Sequence, residues 1–318
     1  MFQLHGEAKY LDVLEKILYN GLISGIGLDG KSFFYTNAMQ IHDNVNHKDM
    51  EPQRSGWFEC SCCPTNLARL LPSLPGYVYG QKDNAVYVNL FVNSTATISV
   101  ANKNIEIEQQ NNYPWDGDLK FILRPAKSSV FSLLLRLPGW ARNEEIPSDL
   151  YSFKDESNSK VVVKVNGQAI DYSLQNGYIV INRAWKKNDV VEMNLPMEIR
   201  RVVANPLLKE NIGKVALQRG PLVYCAEWVD NSGKASNIIL PASASFTNEF
   251  KPDLLNGVVA LKSQVSAVKL AANGEEVNTV KQPFVAIPYY SWANRGKGEM
   301  QIWFPERVNY VELDAAKN

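Results

Sequence analysis

AVYVNLFVNSTATISVANKNIEIEQQ, residues 85–110, is where the texture of the chain changes. In TATISVAN and NIEIEQQ apolar and polar residues alternate one by one, which places every second side chain on one face of a half-buried strand. The intervening Asn residues are turn formers. The same grammar runs on through SVFSLLLRLPGW (129–140), KVVVKVNGQ (160–168), GYIVINRAW (177–185) and VVEMNLPMEIRRV (190–202). Short runs of this kind read as an antiparallel β-sandwich of the jelly-roll type ending near residue 200. A second β-rich stretch follows, from KVALQRGPLVYCAEW (214–228) to PFVAIPYYSWANRG (283–296) and GEMQIWFP (298–305). It reads as another sandwich or a continuation of the first.

Upstream of residue 85 the periods are helical. GEAKYLDVLEKILYNG (6–21) spaces Ala8, Leu11, Val13, Leu14, Ile17 and Leu18 as an amphipathic helix, with Gly21 as its stop. Asp29-Gly30 marks a tight turn, SFFYTN (32–37) a short aromatic strand, and 42–56 a polar loop. No internal repeat or low-complexity linker interrupts the chain. The expected class is multidomain α plus β, divided into 1–82, 83–202 and 203–318. Helices confined to 1–82 are too few to bury a core of their own.

With 318 residues, 45% of them hydrophobic, the chain has material for two or three cores rather than for disorder. Lys plus Arg and Asp plus Glu stand at 33 each, so no broad basic field draws nucleic acid or an anionic membrane. Arg and Pro break the apolar runs well short of the ~20 residues of a membrane helix. The first residues, MFQLHGEAKYLDVLEK, lack the basic start and apolar stretch of an export signal. Function has to come from a site.

ECSCCPTN, residues 59–66, holds three of the four cysteines, Cys60, Cys62 and Cys63. A disulfide framework fits least, because adjacent cysteines strain the backbone when they pair. A zinc site needs further ligands, for which His5, His42, Asp43, His47 and Cys225 are the candidates. His42 and His47 also suit a solvated loop, and Cys225 the core of a strand. Pro64 belongs in the first turn of a helix, where outward N–H groups and the macrodipole lower a thiol pKa. Metal ligation, an activated thiolate and three small buried hydrophobes stay open on this reading.

GEAKYLDVLEKILYNGLISGIGLDGKSFFYTN, RSGWFECSCCPTNLARLLPSLPGYVYG, VYVNLF, LRLPGWA, LQRGPLVY and PYYSWANRGKGEM together resemble the β-L-arabinofuranosidases of glycoside hydrolase family 127 and its relative, family 146. The resemblance runs from about residue 5 to 305 and is carried above all by Trp-Phe-x-Cys-x-Cys-Cys-Pro-x-Asn. It implies a retaining glycosidase with a cysteine thiolate nucleophile held on zinc, acting on arabinose-containing plant glycans. Cys62 would be the nucleophile and a zinc ligand, Cys63 a second ligand, and Cys60 a neighbour of the metal. Glu15 and Tyr35 would contact the sugar; their plainer alternatives are a solvated helix face and a packed strand aromatic. The resemblance further implies two zinc ligands in a Glu-Thr-Cys-Ala type motif and an acid/base glutamate, none of which occurs in these residues. The expectation is the C-terminal portion of such an enzyme, the last helices of an (α/α)6 barrel followed by β-domains, inactive alone. Uncovered apolar faces at 8–24 and 64–78 would favour self-association. Relatives are typically secreted or periplasmic in bacteria. Against the enzyme stand a structural zinc domain and a carbohydrate-binding module, whose platforms would be Trp115, Tyr289, Tyr290 and Trp292.

Overall fold

The structure is a computed structural model that describes residues 1–35, 37–42, 53–60, 62–270 and 277–311. Two compact units are present, one of Met1–Glu15, Arg69–Ser148 and Glu156–Glu198, the other of Lys16–Ala68, Asp149–Asp155 and Ile199–Asn318.

The first unit holds two sheets. One orders its strands Gln168–Ala169, Val162–Val165, Asp189–Asn194, Asp118–Pro125, Lys103–Asn111, Ser94–Val100, with every pair antiparallel. Its alternation is what the sequence promised: Ile105, Ile107, Phe121, Leu123, Val163 and Val191 are buried, while the residues between them are not. The other sheet runs Ser173–Gln175, Tyr178–Trp185, Ser129–Arg136, Ala85–Val88, Tyr79–Lys82. Here an all-antiparallel expectation fails, because Ala85–Val88 pairs in parallel with Ser129–Arg136. The intervening residues 94–125 form strands of the other sheet, a crossover long enough to permit a parallel pair.

This second sheet is buried on both faces, which explains the unbroken apolar run Leu133–Leu134–Leu135. Ala8 packs on Leu134 and Tyr178 from one side, with Phe2 edge-on to Tyr87 at 5.7 Å. The close approach is paid for at Gly177: φ is +81°, and a Cβ there would lie 2.6 Å from that of Ala8. Ala8 also donates its N–H to the Asn176 carbonyl at 2.8 Å.

In the second unit an eleven-stranded antiparallel sheet follows the path Ile238–Ile239, Val258–Leu270, Val277–Pro288, Leu222–Glu227, Lys214–Arg219, Ile199–Ala204, Tyr151–Phe153, with four short strands off it. The later β stretch is therefore a sheet of its own. Its core gathers Phe34, Ile41, Val202, Cys225, Ile287, Tyr289, Trp292 and Met300.

The N-terminal helical reading needs two corrections. The α-helix spans Lys9–Lys16 and passes into a π-turn, Ile17–Leu22, and a 3₁₀ turn, Ile23–Gly25, so Gly21 does not stop it. The wider π-turn lets Asn20 donate to the Pro221 carbonyl at 2.9 Å and accept from the Val223 N–H at 2.8 Å, a tertiary anchor the local sequence does not announce. SFFYTN forms no strand among its described residues; Phe33 makes isolated bridges to Ile26 and Ser55. The Asp29-Gly30 turn is present, with Asp29 Oδ1 accepting from the Lys31 and Ser32 N–H groups and Gly30 at φ +67°. Helix Cys62–Leu70 opens where Pro64 placed it, but none of its side chains is buried.

Candidate active site

The cysteines sit at the start of helix Cys62–Leu70. The Cys62 carbonyl accepts from Thr65 Oγ1 at 2.9 Å and Asn66 Nδ2 at 3.0 Å, which fixes the first turn. Cys60 and Cys62 are exposed, Cys63 half-buried, Cys225 fully buried, and all four are free thiols. The three buried hydrophobes considered for the cluster are thus excluded.

Tyr35 reaches this helix because its neighbours are pinned. Phe33 exchanges backbone hydrogen bonds with Ser55 at 2.8 and 2.9 Å, and Phe34 donates its N–H to Gly25 at 3.0 Å. Phe34 turns inward and stacks on Trp292, ring centroids 4.6 Å apart, so Tyr35, the next residue, faces out. Its hydroxyl lies 3.7 Å from Cys62 Sγ, and its ring packs 5.6 Å from that of Phe58. Below Phe34, Arg54 is the clamp that sequence reasoning missed. Its guanidinium donates to the carbonyls of Ser24 (3.1 and 2.7 Å), Trp292 (2.6 Å) and Tyr290 (3.3 Å) and lies 4.3 Å from the Phe34 ring centroid. Burial draws its pKa down to about 10, a sign of how fully it serves the backbone. Arg54 opens the RSGWFECSCCP run, and its nearness to the cysteines was the one available signal.

The thiols are electrostatically unequal. Hydrogen bonding by Tyr35 first, then by Cys63 and Cys60, lowers the Cys62 pKa. The same contacts push Cys63 up, chiefly through its hydrogen bond to Cys62, and raise Tyr35, whose phenol is the donor. Negative charge in the cluster settles on Cys62, where the helix N-terminus also favours it.

Cys62 Sγ and Cys63 Sγ are 3.6 Å apart. Two thiolates on a tetrahedral zinc, each about 2.3 Å from it, lie about 3.8 Å apart, so the pair fits as two ligands. Among the described residues no group of three or more His, Cys, Asp or Glu side chains is arranged to hold a metal ion. His42 Nε2 contacts Gln40 Nε2 at 2.7 Å, His5 packs on Tyr10, and Cys225 is sealed in a strand. Asp43 and His47 lie outside the described residues.

Glu15, in the first unit, is 1% exposed, which overturns the solvated-face alternative. Its oxygens accept from Tyr113 OH at 2.8 Å, Trp140 Nε1 at 3.2 Å and both terminal nitrogens of Arg136. Arg136 is itself fully buried, bonded also to Asp12 Oδ1 at 2.8 Å. The proposed sugar platforms fare no better: Tyr289 (6% exposed) and Trp292 (1%) are core residues, and Tyr290 and Trp115 are half-buried. Tyr289 OH donates to Asn37 Oδ1 and the Ala38 carbonyl, each at 2.8 Å, which marks it as a structural residue.

Three sequence profiles of one family tile the chain: the β-L-arabinofuranosidase GH127 catalytic domain over residues 1–76, its middle domain over 85–197, and the glycoside hydrolase family 127 C-terminal domain over 199–305. The chain belongs to glycoside hydrolase family 127. This family 127 chain is 35% identical over 327 aligned positions to the non-reducing end β-L-arabinofuranosidase of Bifidobacterium longum subsp. longum, an alignment covering 95% of the chain and 46% of that enzyme. A solved structure of a GH127 β-arabinofuranosidase superposes with a TM-score of 0.91 at 43% identity, over 98% of this chain and 48% of that one. The GH127 β-L-arabinofuranosidase of Geobacillus stearothermophilus T6 gives 0.87 at 40% identity, over 96% and 48%. The family 127 chain spans about half the length of these relatives.

Proposed function

We propose that these residues carry the nucleophile of a retaining β-L-arabinofuranosidase, and that the nucleophile is the Cys62 thiolate. The observation that carries this reading is the exposed Cys62 sulfur at a helix start, with Cys63 Sγ 3.6 Å and the Tyr35 hydroxyl 3.7 Å away. The thiolate attacks the anomeric carbon of a terminal arabinofuranose in an arabinose-containing oligosaccharide. A C–S bond forms as the C–O bond to the leaving group breaks, and water later displaces the thiolate, so two inversions retain the configuration. The Tyr35 hydroxyl stabilises the thiolate before attack and again as it leaves. Cys62 and Cys63 would hold zinc, which when bound supplies positive charge that keeps the thiol ionised at neutral pH. Of the two sugar contacts implied by resemblance, Tyr35 suits the role, being 44% exposed beside the nucleophile. The oxygens of Glu15 are already engaged. We read the helices within residues 1–76 as the closing helices of the catalytic barrel, since the catalytic-domain profile covers them, and the two sheets of the first unit as the faces of a sandwich.

The leaving oxygen also needs a proton. Among the described residues no carboxylate hydrogen-bonds Cys62, Cys63 or Tyr35. Loss of a general acid lowers a rate by about 10²–10⁴, so the 318 residues as an isolated polypeptide are expected to be inert. Hydrolysis of an aryl β-L-arabinofuranoside by the purified chain tests this, and turnover that vanishes in Cys62→Ala would overturn it. The nucleophile is tested separately, by incubation with an electrophilic arabinofuranose analogue. A covalent adduct is expected on Cys62, and an adduct confined to another residue would sink the assignment.

A further inference from the structure

We propose that Cys60 is a resolving thiol: a hydroperoxide oxidises Cys62, and Cys60 then closes a disulfide with it. The glycosidase reading bears only on the consequence, loss of the nucleophile; the chemistry rests on the cluster itself.

Three thiols crowd this helix start, yet the roles inferred above use only Cys62 and Cys63. Cys60 is exposed and hydrogen-bonds Cys62. Cys62 is exposed as well, so a small peroxide reaches its sulfur without any part of the fold opening. The Cys62 thiolate takes one oxygen from hydrogen peroxide, giving a sulfenic acid and hydroxide as the O–O bond breaks. The Cys60 sulfur then attacks that sulfenic sulfur, the S–S bond forms, and its S–O bond breaks to release water. Two electrons pass from the thiol pair to the peroxide, and a dithiol reductant returns them.

Geometry selects Cys60 over Cys63 as the partner, although Cys63 Sγ is only 3.6 Å from Cys62 Sγ. Adjacent residues across a trans peptide have Cα atoms about 3.8 Å apart, short of the roughly 4.4–6.8 Å that an unstrained disulfide spans. Residues two apart fall within that span. Cys63 is also committed to helix Cys62–Leu70, whereas Cys60 precedes it and can swing toward Cys62 without disturbing a helical hydrogen bond. If zinc engages Cys62 and Cys63, Cys60 is the thiol left over, and the cluster is a nucleophile, a ligand and a built-in reversible cap.

The test uses mass rather than activity. Trypsin cuts after Arg54 and Arg69, so all three thiols lie on the one peptide Ser55–Arg69. The purified chain is treated with hydrogen peroxide, blocked with N-ethylmaleimide under denaturing conditions and digested. The expected product has lost two hydrogens, carries one maleimide, on Cys63, and fragments as a Cys60–Cys62 link; dithiothreitol restores three maleimides. In Cys60→Ser the link is gone, and Cys62 sulfenic acid, trapped by dimedone, becomes the main product. Cys225, fully buried, serves as the unoxidised control. A Cys62–Cys63 or Cys60–Cys63 link overturns the proposal. So does a peptide still fully reduced at peroxide levels that oxidise free cysteine, or a Cys60→Ser chain that accumulates no more sulfenic acid than the parent. Because no arm reads hydrolysis, a chain without glycosidase chemistry would still give the disulfide.

Discussion

Replacing Arg136 by Met keeps the bulk of its stem and deletes its charge. Arg136 is fully buried, with Nε donating to the Asn89 carbonyl at 2.5 Å and Nη1 to Asp12 Oδ1 at 2.8 Å and Glu15 Oε2 at 3.3 Å. Burial works against its charge, but the carboxylates of Glu15 and Asp12 outweigh it and hold the guanidinium pKa above that of an ordinary arginine. The substitution strands Glu15, 1% exposed, without a counter-ion; Asp12 keeps only the longer contact to Arg142 at 3.3 Å. Breaking a buried pair in this way costs about 3–5 kcal/mol. At about 2–4 °C per kcal/mol for a domain of this size the melting temperature should fall by roughly 6–20 °C. Neutralising the stranded carboxylate should return part of that loss, so with Glu15→Gln in place the effect of Arg136→Met should shrink by about 0.5–3 kcal/mol. Thermal unfolding of the parent, both single variants and the double variant, followed by near-ultraviolet circular dichroism, gives the cycle. A loss below about 1 kcal/mol for Arg136→Met, or a loss unchanged by Glu15→Gln, refutes the account of Arg136 as the counter-ion of Glu15.

At Cys62 the shift is downward, so its reaction with iodoacetamide should persist as pH falls below the ordinary thiol range near 8.5, while Cys63, shifted upward, falls silent first. Tyr35→Phe removes the leading cause and should move the Cys62 midpoint up; peptide mass spectrometry after timed alkylation reads both, and equal rates at the two thiols would contradict the ordering. Trp292→Ala empties a site 1% exposed and stacked on Phe34, and should cost about 3–5 kcal/mol by urea unfolding, a penalty too large for a surface sugar platform. Ile17, Leu71 and Tyr77 are 51%, 37% and 41% exposed, so the isolated chain should self-associate with rising concentration in light scattering, and a sharp monomer throughout would count against uncovered helix faces.

Much of this molecule is local and therefore legible in its residues. Strands such as Lys103–Asn111 and Asp189–Asn194 follow from alternation, because a period of two alone decides which side chains meet a core. The opening of helix Cys62–Leu70 follows from Pro64, and the clustering of reactive sulfur from ECSCCPTN itself, which also carries the family resemblance. What the residues could not tell is set by partners far along the chain. Glu15 on an amphipathic helix looks solvated until Arg136, 121 positions away, supplies the charge that lets it be buried. Gly21 looks like a stop until the anchoring of Asn20 on Pro221 and Val223 draws the helix onward as a π-turn. Tyr35 looks like a strand aromatic until Phe34 commits to Trp292 and turns it toward Cys62. Period and composition fix which face of each segment is apolar, but only the folded chain decides which buried polar group finds its counterpart, since that pairing is a property of two distant segments at once.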